Sequence, residues 1–225
     1  MHEPAETTDL ELPKVLTECF TLGPFQTNTY LIRTSTGTGC WIVDPSFNPG
    51  PVVARIRALG LKPEAILLTH AHIDHIAGLP DIRKVFPGVP VSLHRAEADW
   101  LEDPERNGSA FFGSPVSMTA PEVVLEGNER LSLNGTTWQT YHVPGHSPGS
   151  VAFYAAAAEL AVSGDALFAG SIGRTDLPGG DHEQLLKAIR STLYTLPGTT
   201  RILSGHGNET TVGREMRSNP FVRAG

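Results

Sequence analysis

The sequence predicts an α+β domain made of two halves of similar make-up. Short runs of alternating apolar and polar residues, bounded by glycine and proline, predict strands that are grouped in meanders. Segments with helical periodicity separate these groups. The 225 residues, 40% of them hydrophobic and 18% charged, suffice for one sizeable domain with a buried core, or for two very small ones. We therefore expect residues 1–225 to form a single domain.

The first half is predicted to begin with a three-stranded meander and a helix. Its strands cover residues 14–21, 28–34 and 40–44. Asn48 is expected to cap a helix that ends near Leu59, because apolar residues then recur at helical spacing. The elements predicted next are a buried strand, a helix interrupted near Gly78 and Pro80, a strand and a short helix, over residues 65–68, 74–86, 89–93 and 95–101.

Residues 102–118 have no periodicity and are predicted to form a long loop. Long loops in compact domains are often functional, so Phe111 and Phe112 either line a substrate or pack the loop onto the core. The second half then contains predicted strands over residues 123–125, 131–133, 137–143, 151–154, 160–163 and 202–203. Helices are expected over residues 181–194 and after Thr211.

The segment 69–75, with the sequence THAHIDH, directly follows the buried strand at 65–68. His70 and His72 are two residues apart, so in an extended chain their side chains point to the same side. Asp74 and His75 follow where the chain turns toward a helix. Three imidazoles and one carboxylate so close together are mixed nitrogen and oxygen ligands that zinc, iron or manganese accepts. The segment therefore predicts a metal site.

Three later residues repeat one pattern, in which a strand ends and a glycine precedes a residue that can bind metal. They are His146, Asp165 and His206. A glycine beside each ligand suits a backbone that turns sharply and approaches an ion closely. Each Gly-His or Gly-Asp pair alone is common in turns, but three of them after the 69–75 segment predict one shared site. The remaining histidines are not predicted as ligands: His2, His94, His142 and His182.

Composition and charge limit the classes of partner. The net charge of −7 argues against a broad nucleic-acid surface or an anionic membrane as partner. The sequence contains no apolar run near the ~20 residues that span a bilayer, and its acidic start does not resemble a signal peptide, so we expect a cytoplasmic protein. Cys19 and Cys40 stand singly in apolar stretches and are expected to be buried, reduced thiols.

The ordered set of metal-competent residues resembles the metallo-β-lactamase-fold superfamily over essentially the whole chain. The resemblance implies two mixed β-sheets packed face to face with helices outside, an αββα sandwich, and a metal site at one sheet edge. It also implies a binuclear site with Asp165 as the bridging ligand. One ion would be held by His70, His72 and His146, and the other by Asp74, His75 and His206.

Within the superfamily the chain looks most like the glyoxalase II, or hydroxyacylglutathione hydrolase, branch of short bacterial type. The segments that carry this likeness are residues 23–30 (GPFQTNTY), 164–168 (GDALF), 170–176 (GSIGRTD) and 219–221 (NPF). The chain ends shortly after His206, where full-length glyoxalase II continues into a helical glutathione-binding domain. Arg174 stands where the family has a lysine. We expect weaker glutathione discrimination, and Arg174 either binds a substrate carboxylate or pairs with Asp176 or Asp181.

The predicted chemistry is hydrolysis. Two divalent cations about 3.5–4 Å apart would share a bridging water and lower its pKa, so that hydroxide attacks at neutral pH. Zinc is favoured, with iron and manganese as alternatives. Asp74 is the predicted catalytic residue that orients the hydroxide and receives its proton. A thiolate leaves without a strong general acid, whereas an amine needs one, which favours a thioester such as S-lactoylglutathione as substrate.

Three other functions are alternatives to thioester hydrolysis. A persulfide dioxygenase of the same fold shares a Gly-Arg-Thr-Asp sequence like residues 173–176, but it uses one iron ion and oxygen. A nuclease of this fold is less favoured, because the chain is acidic and has no large inserted domain. A non-catalytic metal-binding module is least favoured, because all seven ligand positions are filled. The sequence does not determine the acyl group, the thiol carrier or the oligomeric state.

Overall fold

Two six-stranded sheets form the centre of the molecule. The computed structural model describes residues 13–113 and 115–223. The first sheet contains, in spatial order, β1 (Val15–Leu22), β2 (Thr27–Thr34), β3 (Gly39–Val43), β4 (Lys62–Leu67), β5 (Val91–His94) and β6 (Val123–Leu125). Strands β1 to β3 are antiparallel, whereas β3 to β6 are parallel. The parallel half therefore needs crossover connections, and helices supply two of them.

The second sheet is built from β7 (Arg130–Leu133), β8 (Thr136–His142), β9 (Val151–Ala155) and β10 (Leu160–Gly164). A small separate hairpin follows, formed by β11 (Leu167–Phe168) and β12 (Ser171–Ile172). The sheet is completed by β13 (Arg201–Ser204), which pairs in parallel with β10, and by β14 (Thr210–Thr211). Its spatial order is β14-β13-β10-β9-β8-β7, so this sheet is also mixed.

Within residues 13–113 and 115–223, five α-helices accompany the sheets: α1 (Gly50–Ala58), α2 (Ile73–Ile76), α3 (Leu79–Val85), α4 (His182–Ser191) and α5 (Val212–Ser218). Short 3-10 turns lie at Arg95–Glu97, Trp100–Glu102, Ser109–Phe112, Ala156–Ala158 and Leu193–Thr195. Among the residues that the structure describes, none of these helices has the length and apolar character that a bilayer crossing requires.

Three apolar layers hold the elements together. Alternate residues of a strand face opposite sides, so Cys40 and Ile42 of β3 pack with helices α1 to α3. Trp41 and Val43 of the same strand face the second sheet. Between the sheets, the rings of Trp41 and Trp138 meet edge to face with centroids 5.6 Å apart. Helices α4 and α5 cover the outer face of the second sheet. The order helix, sheet, sheet, helix confirms the predicted αββα fold class.

Several predicted elements differ in detail from the structure. The helix expected over residues 74–86 is divided into α2 and α3, and Gly78 lies at the break because a Cβ there would collide with the Ser46 carbonyl. The helix expected over 95–101 is two 3-10 turns. The expected cap at Asn48 was wrong, because the N-cap residue of α1 is Pro49 and no side chain forms a capping hydrogen bond. Two-residue strands such as β14 were not predicted, since they are too short for an alternation pattern.

The long segment 102–118 is more ordered than a featureless loop. It contains the 3-10 turn Ser109–Phe112, which buried Asn107 supports by a hydrogen bond from the Ser109 N–H at 2.9 Å. The prediction for the cysteines was wrong in one respect. Cys19 is exposed on β1, which lies at the edge of its sheet, while Cys40 is buried, and neither forms a disulfide.

We expect the layer between the sheets to dominate stability. Phe153 on β9 is fully buried in this layer, whereas Phe221 is 54% exposed. Phe153→Ala should lower the free energy of unfolding by about 3–5 kcal/mol, because it removes buried apolar area and leaves a cavity. Phe221→Ala, the same chemical change, should cost less than about 1 kcal/mol. Denaturant unfolding of both variants measures the difference, and equal losses would contradict the assignment of the central layer.

Candidate metal centre

The ends of several strands meet at one edge of the sandwich. His70 and His72 follow β4, and Asp74 and His75 lie on the short helix α2 behind them. The other three predicted ligands follow β8, β10 and β13 of the second sheet and are His146, Asp165 and His206. The structure brings all seven together, in overlapping groups whose ligand atoms lie within 4.8 Å of one another.

Three imidazoles form the first group. The Nδ1 atom of His72 lies 2.9 Å from Nε2 of His146, which in turn lies 3.2 Å from Nε2 of His70. All three side chains are buried. Burial lowers the pKa of each ring, that of His72 to about 3, so the rings are neutral and their nitrogen lone pairs are available to a metal ion.

The second group contains Asp74, His75 and His206. The Oδ2 atom of Asp74 lies 3.3 Å from Nε2 of His75 and 3.2 Å from Nε2 of His206. Asp165 stands between the two groups: its carboxylate lies 3.4 Å from His75, 3.4 Å from His206 and 3.7 Å from His146. This position would allow Asp165 to serve both groups at once.

The outward nitrogens of four rings are held by the protein. Nδ1 of His146 is 2.7 Å from the Arg174 carbonyl, and Nδ1 of His206 is 3.1 Å from the Phe25 carbonyl. A carbonyl only accepts, so each Nδ1 carries a proton, and each Nε2 is the nitrogen that faces the cluster and can bind a metal ion when it is unprotonated. Nδ1 of His75 likewise faces a carboxylate, 2.9 Å away on Asp44. Nδ1 of His70 is 3.1 Å from the Thr69 hydroxyl, which donates its own proton to Asp44 and so accepts from His70. These contacts fix the rings as ligands.

Two buried atoms without hydrogen-bond partners indicate that the cluster can hold a cation. Nε2 of His75 and Oδ1 of Asp165 are buried and have no hydrogen-bond partner, although they lie only 3.4 Å apart. Buried polar atoms are nearly always satisfied, because leaving them unpaired costs about 1–3 kcal/mol each. A divalent cation would satisfy both. Five imidazoles and two carboxylates are a donor set for zinc, iron or manganese.

The carboxylates of the cluster are ionised. Burial works to raise the pKa of Asp74 and of Asp165, but the neighbouring charge of His75 and hydrogen bonds from His206 outweigh it and hold both pKa values well below the usual range. Burial likewise works to lower the pKa of His206, yet hydrogen bonds to the two carboxylates raise it to about 10. The two carboxylates would therefore supply negative charge to a metal ion once His75 and His206 give up their Nε2 protons to bind it.

Asp44 is a functional residue that the sequence interpretation missed. Its Oδ1 atom accepts from the Thr69 N–H at 2.7 Å, and its Oδ2 atom accepts from the Thr69 hydroxyl at 2.6 Å and contacts His75. The residue is buried and adopts a positive φ of 49°, which is uncommon outside glycine. Asp44 directly follows β3, which runs parallel to β4. The sequence signal that could have identified this residue is its position after a strand that ends at the same sheet edge as β4.

Glycines permit the close approach of these segments, as expected. A Cβ on Gly205 would collide with the Asp165 carboxylate and lie 2.7 Å from the His75 ring. Gly164 adopts a φ of 50° beside Thr69, where a side chain would be both strained and obstructed. The turn at His206 is also held from β2, because the Asn28 amide donates to the carbonyls of Ser204 at 3.0 Å and Gly207 at 2.9 Å.

A cavity of about 620 Å³ opens above the cluster. Asp74, Asp165 and His206 form part of its floor, and Phe111 and Phe112 stand in its wall, so these two phenylalanines do not pack the loop onto the core. Arg174 also lines the cavity. Its guanidinium forms two hydrogen bonds with Asp176, at 2.7 and 2.8 Å, which is one of the pairings expected from the sequence.

The other histidines that the structure describes lie away from the cluster. His94 and His142 stack on each other with centroids 4.2 Å apart, and His142 contacts the Pro148 carbonyl at 2.8 Å. His182 is exposed at the start of α4, and His2 lies outside the described residues.

Curated relatives share most of this chain. The protein named "Probable metallo-hydrolase YqgX" from Bacillus subtilis is 44% identical over 202 residues, which cover 89% of this chain and 94% of that protein. The protein named "Hydroxyacylglutathione hydrolase GloC" from Haemophilus influenzae is 36% identical over 185 residues, which cover 81% of this chain and 87% of that protein.

Solved structures share the fold of this chain. The BLEG-1 B3 metallo-beta-lactamase superposes with a TM-score of 0.87 at 42% identity, covering 92% of this chain and 99% of that one. TTHA1623, solved in a di-iron-bound form, superposes with a TM-score of 0.81 at 40% identity, covering 91% of this chain and 100% of that one. The sequence model of the Metallo-beta-lactamase superfamily matches residues 22–206, which hold all seven clustered side chains. This chain therefore belongs to the metallo-beta-lactamase superfamily.

Proposed function

We propose that the protein is a binuclear metallohydrolase that cleaves thioesters, as glyoxalase II does. The observation that carries this proposal is the position of Asp165 between two groups of ligands, with atoms left unsatisfied where cations would lie. His70, His72 and His146 would hold one divalent ion, and the second group described above would hold the other. Zinc is the favoured metal, with iron and manganese as alternatives, because the donor set accepts all three.

Asp74 is the residue that we propose accepts the proton of the attacking water. Its carboxylate lines the cavity and is oriented by the Thr27 hydroxyl, which donates to Oδ2 at 2.7 Å. Divalent ions in the cluster would supply the Lewis acidity that makes water acidic and the substrate carbonyl electrophilic. Asp74 then accepts the proton of the water, and the substrate lies in the cavity above it. The Thr27 contact keeps the carboxylate aimed during this transfer.

The nature of the leaving group follows from the cavity wall. Among its described residues outside the cluster, the only ionisable side chains are Arg106 and Arg174, which are too basic to donate a proton. An amine needs protonation as it leaves, whereas a thiol of pKa about 8.5 departs as the thiolate. A thioester is therefore a better match than an amide. The relative named hydroxyacylglutathione hydrolase supports this choice, and S-lactoylglutathione is the first substrate to test.

The bridging role predicts how metal content responds to mutation. Purified protein should bind up to two transition-metal ions per chain. Asp165→Ala should reduce the occupancy of both sites, because its carboxylate contacts both groups. Asp81→Ala, a change at an exposed carboxylate on α3, is the control and should retain both ions. Elemental analysis after dialysis gives the stoichiometry. Full metal content in Asp165→Ala would show that the bridge is wrongly assigned.

The reaction class predicts independence from oxygen. Hydrolysis needs a Lewis acid and no redox change, so zinc- or manganese-loaded protein should cleave S-lactoylglutathione or another thioester under anaerobic conditions. Thiol release measured with a chromogenic disulfide provides the rate, and protein without metal is the control. The persulfide dioxygenase alternative requires iron and O₂. Oxygen uptake with glutathione persulfide by the iron form, together with no thioester cleavage by any form, would favour that alternative.

An amide reaction is the second comparison for the same samples. One similar structure is titled a B3 metallo-beta-lactamase, so a chromogenic β-lactam should be assayed alongside the thioesters. We expect the larger kcat/KM for a thioester, since none of the described lining side chains outside the cluster can protonate a leaving amine. Faster turnover of the β-lactam would reverse the assignment of substrate class.

A further inference from the structure

We propose that the substrate carries an apolar chain next to its thioester, seated on the aromatic wall of the cavity. This inference rests on the proposed thioester hydrolysis and concerns what the site recognises. The shared chemistry is an alkyl or acyl chain, which can belong to either the acyl side or the thiol side of the scissile bond.

The wall of the cavity is largely apolar. The side chains that provide this surface include Phe25, Phe111, Phe112, Phe168, Ile172 and Leu177. Phe25 and Phe112 meet edge to face with ring centroids 4.7 Å apart, which gives the wall a defined shape. A cavity of about 620 Å³ with this lining is large enough for a chain of several carbons beside the reacting group.

Phe111 and Phe112 are the most informative part of the wall. They are 67% and 60% exposed, although the turn that carries them is firmly held. The buried Asn107 amide donates to the carbonyls of Trp100 at 3.1 Å and Val116 at 3.0 Å, and the Ser109 hydroxyl accepts from the Val116 N–H at 2.8 Å. Two adjacent phenylalanines on an ordered turn keep apolar surface in water unless a ligand covers it.

The cations of the cavity are already paired. Arg106 donates to Asp99 at 2.8 Å and to Asp103 at 2.7 Å. Arg174 forms the two bonds to Asp176 described above. A substrate carboxylate would meet these aspartates together with the arginines, so attraction and repulsion largely offset each other. Among the described lining residues outside the metal cluster, no other cationic side chain is present. Carboxylates such as those of glutathione therefore gain little here, whereas an apolar chain gains from the wall.

Two series of neutral substrates test the proposal. One varies the acyl chain from acetyl to octanoyl on N-acetylcysteamine, and the other varies an S-alkyl thiol with the acetyl group held constant. We expect kcat/KM to rise by up to about fourfold per methylene in one series, which identifies the side that occupies the wall. Non-hydrolysable S-alkyl thioethers of N-acetylcysteamine should show a parallel fall in Kd by calorimetry, which does not depend on turnover.

Variants separate the wall from the rest of the molecule. Phe112→Ala and Phe111→Ala should make kcat/KM depend less on chain length. The loss in kcat/KM relative to the parent protein should therefore be smallest for the shortest chain and largest for the longest. Both residues are exposed, so folding should survive the change. Phe221→Ala, an exposed phenylalanine outside the cavity, is the matched control. Turnover of thioesters with no chain-length dependence in either series would overturn the inference while the hydrolase assignment stands. If no thioester reacts, a thioether Kd that does not change with chain length would overturn the inference of an apolar chain on the wall.

An independent observation concerns Glu97, which we infer is a positioning residue for the first histidine group. Glu97 is fully buried in the 3-10 turn Arg95–Glu97. Its Oε2 atom accepts from the Ala71 N–H and its Oε1 atom from the Gly149 N–H, both at 2.6 Å. Ala71 lies between His70 and His72, and Gly149 belongs to the turn that carries His146. One carboxylate thus ties together the two segments that supply this group.

The contact is shaped for a carboxylate. A Cβ on Gly149 would lie 2.9 Å from Cγ and 3.0 Å from Cδ of Glu97, so the glycine permits the approach. Two N–H donors aimed at one side chain need an acceptor on both of its ends. Glutamine offers only one acceptor, and its amide would turn a donor toward the other N–H. Glu97→Gln therefore removes one tie and changes the volume very little.

We expect Glu97→Gln to weaken zinc binding in the three-histidine group by about 10–100-fold, as is usual when a residue behind the ligands is changed. The second group should be affected less, so competition with a chelator should show selective loss of one ion. Glu64→Gln, at an exposed position on β4, is the control. If Glu97→Gln does not fold, Gly149→Ala provides the same test. The added methyl group would displace the Glu97 side chain, while residue 149 retains its backbone N–H. Parental affinity at both sites in the folded variant would overturn the inference.

Discussion

The concentration of buried polar groups at one sheet edge is the constraint on which the structure depends. Five imidazoles and two carboxylates share a site in which His75 and Asp165 have atoms with no hydrogen-bond partner. Such an arrangement costs free energy unless a cation satisfies it. Its cost is tolerable only because the surrounding sandwich is well packed, with a continuous apolar layer between the sheets and one under each group of helices.

The ligands are held in place by residues that do not belong to the cluster. Asp44 fixes Thr69 and His75 from the end of β3, and Glu97 ties the loop after β4 to the turn after β8. Backbone carbonyls orient the rings of His146 and His206. Buried carboxylates and carbonyls are suited to this role because they only accept, so they fix both the orientation and the proton position of each donor. The precision of the site thus comes from both sheets.

The cavity combines two surfaces of opposite character. Its floor carries the charged cluster, and its wall carries phenylalanines supported by a loop that buried Asn107 and Ser109 hold in shape. The arginines at the rim are neutralised by neighbouring aspartates. In the function that we propose, the polar floor would act on the reacting bond and the apolar wall would select the molecules that are held there. The net charge of −7 is consistent with recognition that depends on apolar contact rather than on attraction of anions.

Patterns in the sequence predicted strands and helices in two similar halves and the seven clustered residues, while the αββα arrangement was implied by the resemblance to the metallo-β-lactamase-fold superfamily. Alternation and helical spacing report which residues face the core, and the 69–75 segment with the three later Gly-His and Gly-Asp pairs is dense enough to stand out. Only the tertiary structure showed the roles of Asp44 and Glu97, the pairing of Arg174 with Asp176, and the exposure of Cys19. The contacts of Asp44 and Glu97 join residues 25 to 52 positions apart, and the exposure of Cys19 depends on which strand lies at a sheet edge. Arg174 and Asp176 are only two positions apart, but the choice of this partner over Asp181 or a substrate depends on the folded loop. Local periodicity carries no information on such contacts, because they arise only when separate strand ends and loops are brought together.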